Sequence, residues 1–280
     1  MSAAGYLRIT RPANAVVAGI AAIVAYFVAT GTLVPSVLLL LAVVALVTAA
    51  GNAINDYYDA EIDAVNRADR PIPAGLVSRR AALRYAAVLF IAGIAAGLFT
   101  NPLCMGFAVF NSLLLVAYGA RLKGIPLAGN LAVAYLTGSV FLFGGALAGM
   151  PGLVRLAPLA VMSFLATMAR ELLKDAEDVE GDAAGGASTL PLRIGVKRTT
   201  YWAFVFVLLS AVASIAPFRW WGVPYLAMIG IVDLVLLGAA LRPLHCDTPA
   251  CVRSSGASAV LKYSMFASLA VFTLSELFLG

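Results

Sequence analysis

The chain has 280 residues, of which 62% are hydrophobic and only 12% are charged, and its mean hydropathy is +0.96. Apolar runs of this extent exceed what a globular core of this size would bury, so an ordinary soluble domain is excluded. The formal net charge of +5 suits anionic headgroups or phosphorylated substrates better than nucleic acid. We therefore expect a membrane protein with no nucleic-acid partner.

Apolar segments divide the chain into nine predicted spans, most of them close to the ~20 residues that a helix needs to cross a bilayer. Their continuous apolar pattern favours helices over a β-barrel, because backbone groups must be paired within lipid. The prediction is an all-α, polytopic bundle of nine transmembrane helices. In chain order the predicted spans are 13–31, 34–55, 81–100, 103–120, 127–149, 154–173, 199–217, 220–241 and 259–279.

Positive charge is distributed unevenly between the two predicted faces. With the N-terminus inside, one face receives all 19 Lys and Arg residues except Arg155 and Arg219. The positive-inside rule makes that face cytoplasmic. The polar, basic start MSAAGYLRITRP does not resemble a cleaved signal. We expect a multi-pass protein of the cell membrane.

The three cysteines form no even disulfide framework. Cys104 falls inside a predicted span, and Cys246 and Cys251 fall in a predicted cytoplasmic loop. Free thiols are expected. That loop also holds the only histidine, His245, but the three side chains lack a recognisable zinc spacing.

Acidic residues concentrate in two clusters that share one spacing. Of the 14 acids, all but Asp233, Asp247 and Glu276 lie in these clusters. The pattern D-x-x-D-x-x-x-D occurs in both, and an even number of predicted spans separates the copies, which places them at one face. We call them the first motif (Asp56, Asp59 and Asp63) and the second motif (Asp175, Asp178 and Asp182).

Residues at i, i+3 and i+7 of a helix point within a ~60° sector, so each motif projects three carboxylates from one face. Like charges that close repel unless a cation holds them. Mg²⁺ is the favoured cation because it takes hard oxygen ligands and usually completes its shell with water and substrate phosphate. Asn52 and Asn55 would add neutral oxygens. The alternative is a solvated acidic helix end, which does not explain the repeated spacing.

Basic residues follow the acidic clusters and are suited to phosphate oxygens. Arg67, Arg70 and Lys123 are the predicted diphosphate contacts. Arg79, Arg80, Lys197 and Arg198 are expected to be ordinary positive-inside charges. Arg11 and Asn14 would reach the same cytoplasmic region, with helix capping as the alternative role. Asp233, inside a span, is expected to have a structural partner or an interfacial position.

The stretches from Asn55 to Asp63 and from Asp175 to Asp182, together with YGARLK, resemble the intramembrane prenyltransferases of the UbiA superfamily. The resemblance covers nearly the whole chain and implies one membrane domain, 1–280, with a central cavity under cytoplasmic cap loops. It implies Mg²⁺ and an isoprenyl diphosphate between the two motifs. Metal and diphosphate roles carry over to Asn55 and the six motif aspartates, and diphosphate roles to Lys123 and Tyr118.

Within this family, LRITRPANAVVAGIAA, DRPIPAG and RELLKDAEDVEGDAAGGASTLPLRIG resemble the archaeal digeranylgeranylglyceryl phosphate synthases. That group alkylates the free hydroxyl of geranylgeranylglyceryl phosphate with geranylgeranyl diphosphate. The implied partners are an isoprenyl diphosphate, a lipid phosphate acceptor and membrane lipid, with no oligomeric state indicated. A phosphate-bearing acceptor would need further cations, for which Arg8, Arg11 and Lys174 are candidates.

Three other functions compete. An aromatic prenyltransferase of the same family would differ only in its acceptor. A phosphoryl-alcohol transferase also pairs membrane helices with Asp and Mg²⁺, but its D-G-x-x-A-R element is missing here, where Ala60 and Glu61 follow Asp59. An ion or phosphate transporter would place its charges near the bilayer midplane, whereas these acids lie at one boundary.

Overall fold

The structure is a computed structural model that describes residues 2–184 and 186–280. These residues contain no β-strand, and nine of their helical segments are long and apolar enough to cross a bilayer. Within the described ranges the predicted all-α, nine-span architecture is confirmed. In chain order the helices are α1 (Ala3–Thr10), α2 (Pro12–Thr30), α3 (Val37–Asn66), α4 (Arg79–Gly97), α5 (Pro102–Ala120), α6 (Ala128–Leu147), α7 (Gly149–Glu177), α8 (Val179–Ala184), α9 (Leu190–Ile194), α10 (Val196–Ala213), α11 (Phe218–Leu241), α12 (Pro249–Ser255) and α13 (Ala257–Leu279), with 3₁₀ turns at Leu122–Gly124 and Arg242–His245.

Two helices extend well beyond their predicted spans. α3 continues past residue 55 to Asn66, and α7 begins at Gly149 and continues past residue 173 to Glu177. Hydropathy marks where a helix leaves the apolar layer, whereas the backbone remains helical until a breaking residue ends it. The first motif therefore lies inside α3, and Arg155, at the start of the predicted span 154–173, lies in the second turn of α7.

The chain divides into two compact units, and the single domain 1–280 stays a prediction. The first unit comprises the described residues up to Lys123 together with Val140–Val154. In it α3 packs against α1, α2, α4 and α5, with Leu40, Val43 and Val47 buried. A Cβ at Gly144 would lie 2.5 Å from the carbonyl oxygen of Ala22, so glycine allows this close approach.

The second unit comprises Gly124–Ser139 and Arg155–Gly280. In it α11 packs against α10 and α13, around buried residues that include Leu172, Leu236 and Leu261. α11 is kinked at Gly222, where φ is 63° and Pro224 follows two residues later. The second motif belongs to this unit.

Two carboxylates on spans of the second unit, Glu276 and Asp233, have partners. Arg155 Nη2 donates to Glu276 Oε2 at 2.5 Å, and Trp221 Nε1 donates to the same oxygen at 3.0 Å. The Glu276 side chain is 4% exposed, so this ion pair accounts for a buried carboxylate that would otherwise be costly. Asp233 Oδ2 accepts a hydrogen bond from Ser214 Oγ at 2.6 Å, which is the structural partner expected for it.

The expectation of three free thiols is wrong for two of them. Cys246 and Cys251 form a disulfide, while Cys104 is free and buried. The 3₁₀ turn before Cys246 and the start of α12 bring the two Cα atoms to 5.4 Å, inside the range that a disulfide requires. Their sulfurs and a His245 nitrogen lie within 4.8 Å of one another, but the disulfide occupies both sulfurs.

Candidate active site

Asp56 of the first motif is buried and paired with two arginines. Its side chain is 2% exposed, and its Oδ1 accepts from Arg11 Nη2 at 2.5 Å and from Arg70 Nη1 at 3.2 Å. Both arginines were candidates from sequence, and the structure brings both to the motif. Charge-assisted bonds of this kind offset the cost of burying the carboxylate.

Arg11 reaches Asp56 from a turn between α1 and α2. Its φ of 48° places it in the left-handed region, which residues other than glycine rarely adopt. Asn52 supports this turn from α3. Its Nδ2 donates to the Thr10 carbonyl at 2.9 Å, and its Oδ1 accepts from Arg11 Nη1 at 3.4 Å. Asn52, expected to be a ligand or a donor, thus positions the α1–α2 junction beside the motif.

Asp59 is paired with Lys123, which follows α5. Lys123 Nζ donates to Asp59 Oδ1, and Asn55 Nδ2 donates to Asp59 Oδ2 at 2.9 Å. Burial lowers the pKa of the Lys123 ammonium. Tyr118 is half-buried near the end of α5, next to Gly119, where an added Cβ would lie 3.7 Å from the Cα of Asn55.

Two oxygens of the first motif region have no hydrogen-bond partner among the described residues. They are Asn55 Oδ1 and Asp56 Oδ2, and both are buried. Buried polar atoms almost always have a hydrogen-bond partner, so two adjacent residues of α3 with buried oxygens that lack one indicate a missing ligand. Carboxylate and amide oxygens are the ligands that Mg²⁺ takes. With Asp63, itself 8% exposed, the residues present fit a magnesium ion.

The second motif differs in its backbone. Helix α7 ends at Glu177 and α8 begins at Val179, so a break falls at Asp178, and the expectation of one continuous helix is wrong for this copy. Hydrogen bonds from Asp178 N to Lys174 O, at 3.0 Å, and from Asp182 N to Asp178 O, at 2.9 Å, keep helical spacing across the break. The first motif, inside α3, meets the expectation.

Cations contact the second motif less than the first. Asp175 Oδ2 accepts from the neutral amide of Asn130 at 2.9 Å, and Arg253 Nη2 lies 3.9 Å from Asp178 Oδ1, with both side chains largely exposed. Burial raises the pKa of the Asp182 carboxyl. Sequence reasoning missed Asn130, although an amide at the start of an apolar span was a usable signal.

The side chains of three predicted substrate contacts make no hydrogen bond or ion pair with a motif aspartate among the described residues. The side chains of Arg67 and Asn14 are exposed, and within 2–184 and 186–280 they make no hydrogen bond or ion pair. Lys174 Nζ pairs with Glu171 at 3.1 Å rather than with an aspartate of the motif. Their roles stay predictions.

Most of the chain matches one known protein family. A family model described as the UbiA prenyltransferase family matches residues 18–269. The chain belongs to this family. The nine candidate spans found among the described residues and UbiA membership make it an integral membrane protein, and the predicted family is confirmed.

Curated relatives in the UbiA family carry a specific name. The chain is 60% identical, over 100% of both chains, to the digeranylgeranylglyceryl phosphate synthase of Methanoregula boonei. A solved structure on digeranylgeranylglyceryl phosphate synthase in membranes has a TM-score of 0.87 at 34% identity and covers 98% of each chain. A UbiA homolog from Archaeoglobus fulgidus, bound to GPP and Mg²⁺, shares the fold with a TM-score of 0.62 at 17% identity, covering 96% of this chain and 99% of that one.

Proposed function

We propose that this chain transfers a geranylgeranyl group from geranylgeranyl diphosphate to the free hydroxyl of geranylgeranylglyceryl phosphate and releases diphosphate. The observation that carries the reaction class is the first motif, where buried unpaired oxygens of Asn55 and Asp56 lie on the same helix as carboxylates held by Arg11, Arg70 and Lys123. The acceptor is supported by the full-length likeness to synthases of that name.

Magnesium is the proposed cofactor, supported by the donor chemistry of the motifs and by the A. fulgidus homolog that binds GPP and Mg²⁺. When bound, Mg²⁺ would neutralise charge on the diphosphate and so make it a better leaving group. The residues of the first motif region that would hold magnesium are Asn55, Asp56, Asp59 and Asp63, and those of the second motif are Asp175, Asp178 and Asp182.

The cations of the first motif would bind the diphosphate. Arg11, Arg70 and Lys123 are held by Asp56 and Asp59, and the N–H groups of these cations that the carboxylates leave unused would donate to phosphate oxygens. Such donors stabilise the negative charge that develops as the allylic C–O bond breaks. Asn52, Arg67 and Tyr118 are proposed to support the same diphosphate, and Asn14 and Lys174 the acceptor side.

No nucleophilic side chain is required. The acceptor hydroxyl oxygen forms the new bond to C1 of the prenyl chain while the bond from C1 to the diphosphate oxygen breaks. The hydroxyl proton passes to a carboxylate of a motif or to the released diphosphate. The protein therefore acts by positioning and electrostatics.

The active site is proposed to face the cytoplasm, supported by the bias of Lys and Arg to one predicted face. A cysteine at the exposed Ala183 position, with the native cysteines changed to serine, tests this orientation. In vesicles with the cytoplasmic face inside, a membrane-impermeant thiol reagent should label it only after the vesicles are opened. Labelling of sealed vesicles would contradict the assignment.

A product assay tests the reaction. The purified protein in detergent receives geranylgeranyl diphosphate and Mg²⁺, with geranylgeranylglyceryl phosphate, 4-hydroxybenzoate or a naphthoate as acceptor. We expect a Mg²⁺-dependent ether product with the glyceryl phosphate alone. A prenylated aromatic product would replace the acceptor and keep the mechanism. Diphosphate binding without any product would contradict the enzyme assignment.

A further inference from the structure

A second cationic site lies in the first unit, at residues that belong to neither motif. A cavity of about 700 Å³ opens beside the start of α4, and residues that line it include Tyr6 of α1 with Arg80, Ala81, Arg84 and Val88 of α4. The rings of Tyr6 and Tyr85 pack edge to face with centroids 5.0 Å apart, which joins α1 to α4 at this place. Residues of α1 and α4 therefore border this open cavity together.

The two arginines of this cavity have no anionic partner in the part of the chain that the structure describes. Arg80 and Arg84 are exposed and make no ion pair within residues 2–184 and 186–280. Arg79, one residue earlier, pairs with Glu61 at 2.8 Å and lies over the Tyr57 ring. Like charges at i and i+4 of a helix repel. An anion shared by both guanidinium groups would relieve that repulsion.

The surface beyond the arginines is suited to a lipid chain. Arg80, Arg84, Val88 and Ile91 fall within a sector of ~80° on α4. Val88 is 61% exposed and Ile91 is 68% exposed, so one stripe of the helix changes from cationic to apolar along its axis. Because α4 crosses the membrane from this end, the arginines lie at headgroup level and the apolar part at the level of the chains.

We propose that this cavity binds the phosphate headgroup of an anionic membrane lipid. Arg80 and Arg84 donate to its phosphate oxygens, and a lipid chain lies along Val88 and Ile91. The positive-inside rule explains the sign of these charges but not a cavity of this size beside them. A lipid is favoured over free phosphate because the cavity continues onto exposed apolar side chains. The site uses none of the motif residues and does not depend on the proposed reaction.

The test is native mass spectrometry of the full-length protein in detergent, titrated with phosphatidylglycerol and, separately, with phosphatidylcholine. The R80Q/R84Q variant is compared with R198Q/R242Q, which removes the same charge at two exposed arginines that also lack ion pairs among the described residues. We expect R80Q/R84Q to bind phosphatidylglycerol about 25-fold more weakly than wild type, roughly five-fold per guanidinium. R198Q/R242Q should bind it as wild type does.

A second variant distinguishes binding in this cavity from a general effect of positive charge. Ala81→Phe keeps both arginines and places a bulky ring in the cavity between them, and we expect it to lose the same phosphatidylglycerol binding while its thermal unfolding matches wild type. Equal binding by R80Q/R84Q and R198Q/R242Q, or unchanged binding by Ala81→Phe, would overturn the proposal. So would arginine-dependent binding of inorganic phosphate as tight as that of the lipid, because the apolar stripe would then contribute nothing.

Discussion

The two acidic motifs have the same spacing, but they differ in how many cationic side chains contact their carboxylates. In the first motif, Asp56 pairs with Arg11 and Arg70, and Asp59 pairs with Lys123. In the second, Asp175 accepts from the neutral amide of Asn130, Lys174 forms its ion pair with Glu171, and the cation near Asp178 is 3.9 Å away and exposed. The aspartates of the first motif have three cationic contacts within hydrogen-bond distance, and those of the second have none among the described residues. A repeated motif therefore does not imply two equivalent sites.

This difference suggests that the two motifs have different functions in metal binding and in diphosphate binding. A motif that keeps its charge attracts a free cation, whereas a neutralised motif holds cations ready for a phosphate group. We expect the second motif to bind Mg²⁺ first and the first motif to contribute more to diphosphate recognition. The following predictions test this division, beginning with the largest effect.

Removal of one carboxylate from either motif should abolish turnover. We expect Asp56→Ala and Asp175→Ala each to lower kcat/KM for geranylgeranyl diphosphate by at least about 10²-fold to 10³-fold, the order of magnitude of one lost electrostatic stabiliser. Product formation under saturating Mg²⁺ measures this. Asp247→Ala, an exposed acid paired only with Lys197, is the matched control and should retain activity. Near-normal turnover in either motif variant would disprove the site.

Substitutions of Lys123 and Lys174 should differ in their effect on diphosphate binding, although both lysines were predicted from sequence to contact substrate. Lys123 contacts Asp59 of the first motif, whereas Lys174 contacts Glu171, outside the second. We expect Lys123→Gln to weaken diphosphate binding about 10-fold to 100-fold, since a charged hydrogen bond contributes ~1.5–3 kcal/mol. Lys174→Gln should have a much smaller effect on the KM for the prenyl donor. Equal losses would argue against a specialised first motif.

Metal binding without substrate should depend mainly on the second motif. Isothermal titration with Mg²⁺ measures it independently of turnover. We expect Asp175→Asn to weaken the first binding event about 10-fold and Asp56→Asn less than about 3-fold, because Asp56 is already neutralised by two arginines. The reverse order would show that the ion pairs of the first motif open freely when the metal arrives.

The smallest expected effect is at Asn130. Asn130→Ala removes the donor to Asp175 Oδ2, and we expect turnover to fall about 5-fold, as for one hydrogen bond of ~1 kcal/mol. Thr137→Ala is a control on the same helix, because the Thr137 hydroxyl donates only to Val133 O of its own helix. If both variants keep wild-type turnover at limiting Mg²⁺, Asn130 does not position the second motif.

The amino-acid sequence by itself determined the all-α class, the nine spans and the two motifs, because these depend on hydropathy and spacing within single segments. Apolar length decides whether a helix crosses the bilayer, whatever its neighbours are. Helix ends were less predictable, because hydropathy does not mark where a helical backbone stops. Both α3 and α7 extend beyond the spans that hydropathy predicts.

Only the tertiary structure decided which partners each charged group has. Arg11 meets Asp56 across 45 positions of sequence, Asn130 meets Asp175 across 45, and Arg155 meets Glu276 across 121. The packing of helices sets these contacts, and no local pattern encodes which face of one helix meets which face of another. Spacing within one helix therefore predicted the carboxylates, whereas their electrostatic state required the fold.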